Sequence, residues 1–156
     1  MLTAKELQKT AKETQARIAA AVKRGTEALS QGTAIKTVSY WDRKLDLILS
    51  DALKVSGGRA TKAEFTVISG RDGGFSGEFS ELCALGLAGT NYYRVPYVTD
   101  EGYYVVHQMF LHWLQTYAEA SGLTIQTQTT QTKKWDSTPL DLTTEVTILL
   151  PGPGEE

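Results

Sequence analysis

The spacing of apolar positions along the chain predicts alternating helices and strands. Residues 3–30, 41–55 and 101–121 carry apolar side chains at helical spacing. Residues 33–40, 63–69 and 92–98 are rich in β-branched and aromatic residues, which predicts strands, and residues 78–87 predict a short helix. Residues 123–129 and 140–150 alternate strictly between apolar or threonine and more polar side chains. This alternation is typical of antiparallel strands with one wet face.

Capping residues refine the predicted helix ends. Thr3 with Glu6 has the spacing of a capping box, Ser39 with Asp42 resembles one, and Thr99 precedes the third helix. Glycines predict where helices stop: Gly32, Gly57, Gly58 and Gly122, with Gly25 as a possible break inside the first helix. The third helix is apolar on nearly all sides, so we expect it to be the best-buried element.

These elements predict an α+β fold in a single domain, mainly an antiparallel sheet packed with helices. Two strand–helix–strand halves fit the βαββαβ order of a ferredoxin-like fold, with an added N-terminal helix and a C-terminal strand. The expected division is an N-terminal amphipathic helix over 1–31, an α+β core over 32–150 and a flexible tail over 151–156. The apolar stripe of the first helix is thin, which favours contact with a partner.

Charge and cysteine content narrow the functional classes. The net charge is −2, yet residues 1–31 carry six basic and three acidic groups, so the remainder is acidic. An acidic body argues against a dedicated nucleic-acid binder. Cys83 is the single cysteine, which rules out a disulfide within the chain, and no apolar run is long enough to span a membrane. We expect a cytoplasmic protein, or one in a virion assembled in the cytoplasm.

A glycine-rich segment over residues 70–77 is a candidate anion site. Gly70, Gly73 and Gly74 would let backbone N–H groups approach an anion, and Arg71 could pair with it. The spacing matches neither a phosphate-binding Walker loop nor the dinucleotide fingerprint. A flexible connection is the competing interpretation.

Metal binding and side-chain catalysis find little support in the sequence. His107 and His112 lie five residues apart on the third helix and point about 140° apart, which is unsuited to one metal ion. Cys83 has small and apolar neighbours, which favours a buried, inert thiol. The carboxylates that could form an acid–base couple are Glu64, Asp72, Glu78 and Glu81, and solvated acids are the commoner case.

The connection between the last two strands is the best-placed candidate partner contact. Lys133, Lys134 and Trp135 lie together in this polar connection, and tryptophan with basic neighbours is common at interface hot spots. Packing of Trp135 onto its own sheet is the alternative. Base stacking on Trp135 is a lesser one, because the body is acidic.

The long threonine- and glutamine-rich strands near the C-terminus would also leave sheet edges available for pairing with another strand. Together these features favour a non-catalytic protein-interaction or assembly module that uses no cofactor. The expected partner is another protein or a second copy rather than nucleic acid or a membrane. The setting we expect is a phage or mobile-element protein, either a virion component or a small inhibitor of a host protein. The alternative is a small enzyme or an anion- or nucleotide-binding protein that uses the loop over 70–77.

Overall fold

A computed structural model describes residues 1–69, 79–90, 92–94, 96–132 and 141–152. The elements in chain order are α1 (Ala4–Gln31), α2 (Ile35–Val55), β1 (Lys62–Ile68), α3 (Phe79–Ala84), β2 (Ala88–Thr90), β3 (Pro96–Val98), α4 (Asp100–Ser121), β4 (Thr124–Thr132) and β5 (Asp141–Leu149). This order confirms the α+β class.

The strand predicted over 33–40 is wrong, because α2 already begins at Ile35. The carboxylate of Glu81, on α3, accepts the backbone N–H groups of Lys36 and Thr37 at 2.8 Å each. A distant residue thus caps the helix and overrides the β propensity of this segment. The proposed cap at Ser39 is wrong for the same reason. Without the strand, the ferredoxin-like order is wrong too.

The other predicted helix ends are largely confirmed. The Thr3 hydroxyl accepts the Glu6 N–H at 3.2 Å, and the Thr99 hydroxyl accepts the Gly102 N–H at 3.0 Å. Gly32 ends α1 with a φ of 72°, in the left-handed region that glycine tolerates. The break suggested at Gly25 is wrong, since α1 continues through it.

The last two predicted strands are confirmed as an antiparallel pair. The main sheet has the order β1-β5-β4, with β5 in the centre and every pair antiparallel. Phe65 of β1 and Thr127 of β4 both lie opposite Val146 of β5. One face is buried through Ala63, Val67, Thr144, Val146 and Ile148, while the other faces solvent. Among the described residues of the strand predicted over 92–98, Pro96–Val98 forms a strand, and residues 92–94 do not. It pairs with β2, which the sequence pattern did not indicate.

The core centres on α4, which lies between α1 and the main sheet. Its Met109 fits against Gly25 of α1, and its His107 reaches Thr144 of β5. The best-buried apolar residues of α4 are Val105, Val106, Met109, Phe110 and Leu114, as expected for the third helix. Trp41 of α2 is 0% exposed and packs edge-on against Phe110, with ring centroids 5.5 Å apart. No helix in the described part of the chain is long and apolar enough to cross a bilayer.

Candidate interaction surfaces

Both sites predicted from the sequence fall outside the described residues. These are the glycine-rich anion site with Gly70, Arg71, Gly73 and Gly74, and the partner contact with Lys133, Lys134 and Trp135. Asp72 and Glu78 lie outside them as well. The surfaces that the structure does describe therefore come from other parts of the fold.

The outer edge of β4 is the most extended of these surfaces. β4 has nine residues, TIQTQTTQT, and contains neither a charged residue nor a proline. It pairs with β5 on one side, and no described strand pairs with its other side. Such a strand leaves main-chain N–H and C=O groups along its outer edge available for another strand. The opposite edge, β1, differs because Lys62 and Glu64 form an exposed ion pair there at 3.0 Å.

A groove with a volume of about 520 Å³ runs beside β4. It lies between α1, α4 and the inner side of β4. Its apolar lining is supplied by Val22, Leu111, Leu114, Ala118 and Ile125, and its polar lining by Thr26, Gln108, His112, Gln115 and Thr127. None of these side chains is an acid, a lysine or an arginine. The groove therefore suits apolar or uncharged side chains that enter alongside β4.

The first half of α1 is a second exposed surface. Residues 1–13 are all exposed, and Leu7 is 53% exposed. Contact with the body begins where Arg17 meets Glu101 of α4, with Nη2 2.7 Å from Oε1 and Nε 3.5 Å from Oε2. The second half packs closely, since Ala21, Gly25 and Ala28 are buried. The exposed half thus continues a helix that the body holds only at its other end.

A smaller aromatic patch lies at the turn between β2 and β3. Tyr92 and Tyr93 are 94% and 81% exposed, and Tyr97 is 48% exposed. The rings of Tyr92 and Tyr93 stand edge to face, with centroids 5.5 Å apart and planes at 88°. Rings at right angles do not form a flat stacking platform, but exposed tyrosines are frequent at protein interfaces. Sequence reasoning missed this patch because it assigned 92–98 to one strand.

A hydrogen-bonded chain of side chains runs from the core to β4. His107 Nε2 lies 2.8 Å from Thr144 Oγ1, which lies 2.7 Å from Thr129 Oγ1. Burial lowers the pKa of His107 from 6.5 to about 4, so the ring is neutral at pH 7. His107 Nδ1 is buried without a hydrogen-bond partner among the described residues. An unpartnered acceptor costs less than an unpartnered N–H, which favours the tautomer that donates from Nε2 to Thr144.

The pair of His107 and Thr144 has the spacing of a base and a nucleophile, yet it is unsuited to catalysis. Thr144 is 0% exposed, so no substrate reaches its hydroxyl. No described group orients the imidazole through Nδ1. The contact instead ties α4 to the central strand. His112, on the opposite side of the helix, lines the groove.

The described carboxylates among the acid–base candidates have structural roles. Glu81 caps α2 and also accepts the Thr37 hydroxyl at 2.7 Å. Partial burial raises the pKa of Glu81, but the hydrogen bonds from Thr37 and Lys36 outweigh it and leave that pKa below its usual value. Glu64 pairs with Lys62 on the surface. The Thr37 hydroxyl beside Glu81 is 1% exposed, so it is closed to a substrate.

Cys83 is exposed, so the prediction of a buried thiol is wrong. The short helix α3 buries Leu82 at 1% exposure and turns the next residue to solvent. Among the described residues, no group of three or more His, Cys, Asp or Glu side chains could hold a metal ion.

Comparisons with known proteins add no assignment to this geometry. No protein-family model, curated protein or solved structure matches the chain.

Proposed function

We propose that this protein is a non-catalytic interaction module that binds an extended segment of a partner protein at the outer edge of β4. One observation carries the proposal: an uncharged nine-residue edge strand borders an apolar groove of about 520 Å³. Strand addition of this kind takes affinity from main-chain hydrogen bonds and specificity from alternate side chains.

The lining of the groove specifies the chemistry of the partner segment. Added beside β4, the segment would direct every second side chain toward Val22, Leu111 and Ile125, and the others toward the wet face of the sheet. Since the described residues of the lining include no acid, lysine or arginine, a charged side chain that enters beside them would lose water without gaining a counter-ion from them. The preferred segment therefore alternates between apolar residues and polar ones.

The catalytic alternative has less support among the described residues. His107 and Thr144 are out of reach of a substrate, and Glu81 serves as a helix cap. The loop that would bind an anion lies outside those residues. We propose a phage or mobile-element protein as the setting, on the size of the chain and its docking surfaces alone.

Strand addition can be tested with a capped nine-residue peptide that has valine at alternate positions and threonine between them. We expect the peptide to shift the backbone amide NMR signals of β4 and to slow hydrogen exchange at its outer edge. Thr127→Arg, which projects into the groove, should weaken binding about tenfold or more, as expected for an unpaired charge in an apolar site.

Gln126→Arg is the matched control. Gln126 is the sequence neighbour of Thr127 and points to the opposite face of the sheet, so the same new charge should leave the affinity nearly unchanged. Absence of β4 shifts at about 1 mM peptide, where binding stronger than about −4 kcal/mol would be visible, would contradict the proposal. Equal losses in both variants would contradict it as well.

A further inference from the structure

The first half of α1 is exposed and receives no support from the part of the body that the structure describes. From residue 4 to residue 16 it extends about 20 Å. Its described hydrogen bonds that involve side chains are local: Glu6 N–H donates to the Thr3 hydroxyl, Thr10 donates to the Glu6 carbonyl, and Arg17 donates to the Thr14 hydroxyl. A helix of this length is marginal in water on its own. A partner along its side would stabilise it.

Charge is confined to one side of this helical segment. At about 100° per residue, its charged side chains fall within an arc of about 120°: Lys5, Glu6, Lys9, Lys12 and Glu13. Lys9 and Glu13 are 4.0 Å apart on this side. We call the opposite side the uncharged face, which consists of Ala4, Leu7, Gln8, Ala11, Thr14 and Gln15. A partner on this face would desolvate no charge.

The uncharged face is continuous with the interface between α1 and α4. From Leu7 onward, steps of four and three residues lead along one side of α1 to the residues that pack in the body, Ile18, Ala21, Gly25 and Ala28. α4 runs parallel to α1, since Arg17 meets Glu101 and Gly25 meets Met109. α4 therefore covers this side beyond residue 17, and the same side is open before it.

We infer that the uncharged face pairs with the same face of a second copy, in antiparallel orientation. A partner that matches this face in length and in its lack of charge is an uncharged helix of about four turns. The same face of a second copy is such a helix. A parallel pair would bring both α4 helices to the same point, where they would collide. An antiparallel pair keeps them at opposite ends and sets Leu7 against Ala11 of the second copy.

The short length of this helix–helix contact limits the strength of the association. Two helices in contact over about 20 Å bury less than the 1,200–2,000 Å² of a standard interface. The dimer is therefore weak and depends on concentration. It uses a different surface from the β4 edge, so peptide binding at β4 and self-association can fail independently.

Two substitutions of an alanine by glutamate, on opposite sides of the same helix, test the inference. Ala11 lies on the uncharged face and Ala16 lies on the charged side, about 140° away, and both are exposed. By sedimentation velocity we expect the dissociation constant of the dimer to rise about tenfold or more in Ala11→Glu, because each interface then carries two new charges. Ala16→Glu should leave it nearly unchanged. A wild-type protein that stays monomeric up to about 1 mM would overturn the inference, as would equal effects of both variants.

Disulfide trapping in a Cys83→Ser background tests the orientation. A mixture of Leu7→Cys and Ala11→Cys proteins should form the 7–11 heterodimer faster than either protein forms its own homodimer. Lys9→Cys, on the charged side, should form no dimer faster than background. Preferential 7–7 disulfides would overturn the antiparallel arrangement.

Discussion

Gly25 of α1 and Met109 of α4 are packed so closely that a Cβ atom on residue 25 would collide with the Met109 sulfur. Met109 is 0% exposed. The contact explains why a glycine lies within a long helix: its small size sets the approach of α1 to α4. The local helix propensity lost at glycine is offset by this packing.

Gly25→Ala should therefore destabilise the protein although alanine is the better helix former. Overpacking of this kind costs about 1–3 kcal/mol, against a propensity gain of about 1 kcal/mol. Urea unfolding would measure the net loss. Met109→Ala alone should cost about 2–5 kcal/mol through the cavity it leaves. The double variant should lose at least about 1 kcal/mol less unfolding free energy than the two single variants lose together. Additive losses would show that the two side chains do not compete for the same space.

His107 should make stability depend on pH. Its folded pKa of about 4 lies below the unfolded value of 6.5, so the unfolded state takes up the proton first as pH falls. Its contribution is fully present above pH 6.5 and is lost as pH falls toward 4, by roughly 3 kcal/mol in total.

The effect can be measured by urea unfolding of the wild type and of His107→Gln at several pH values between 4 and 7. The difference in unfolding free energy between the two proteins should change through that window. His112→Gln, the same substitution at an exposed position of the same helix, is the matched control. A His107 variant with the wild-type pH dependence would contradict the assignment.

Removal of the Glu81 carboxylate should weaken the start of α2. Ala34 makes no side-chain cap, so Glu81→Ala leaves the N–H groups of Lys36 and Thr37 without this acceptor. The expected loss is about 1–2 kcal/mol, the scale of a helix cap. Glu64→Ala, which removes an exposed ion pair, should cost under about 1 kcal/mol.

Glu81 should also make stability depend on pH, with stability lost as the pH falls. Because its folded pKa is below the usual value, its contribution is present above the unfolded pKa and is lost as pH falls through the folded one. Thermal melts from pH 6 to pH 3 should show a smaller acid-induced loss in Glu81→Ala than in the wild type. An equal loss would contradict this role.

Trp135 remains a predicted partner contact. Trp41 and Trp113 are 0% and 8% exposed, so we expect iodide to quench neither of them. Variants that each retain a single tryptophan would assign the quenching to one residue. We expect iodide to quench Trp135 readily in the free monomer, with protection on binding of a partner or a second copy. Trp135→Ala should weaken such binding by roughly 2 kcal/mol while stability changes little. A shielded Trp135 and a large stability loss would instead indicate local packing.

Sequence patterns predicted the elements that depend on local chemistry. Thr3 and Thr99 cap helices from within their own segments, and the alternation over 140–150 reflects the two faces of β5. The start of α2 could not be predicted in this way, because its cap comes from Glu81, more than forty residues away. Gly25 was ambiguous for the same reason, since its neighbour Met109 lies on another helix.

The candidate surfaces were predictable only in part. The threonine- and glutamine-rich composition of the last strands is visible in the sequence and indicated sheet edges available for pairing, but it did not single out β4. The groove beside it depends on three elements meeting, with Val22, Leu111 and Ile125 brought together by the fold. The tyrosines at the β2–β3 turn were missed because their short strands carry no alternating pattern.

The central position of β5 has a consequence for biosynthesis. β1 and β4 both pair with β5, which is the last of the described elements to leave the ribosome. At about 5–20 residues per second, the nascent chain spends several seconds with its helices made and no sheet to pack against. We expect the main sheet to close only after β5 is released, in a single late step that joins Lys62 to Leu149. A chain whose synthesis stops before β5 would keep helical signal in circular dichroism, but its β1 would have no strand to pair with.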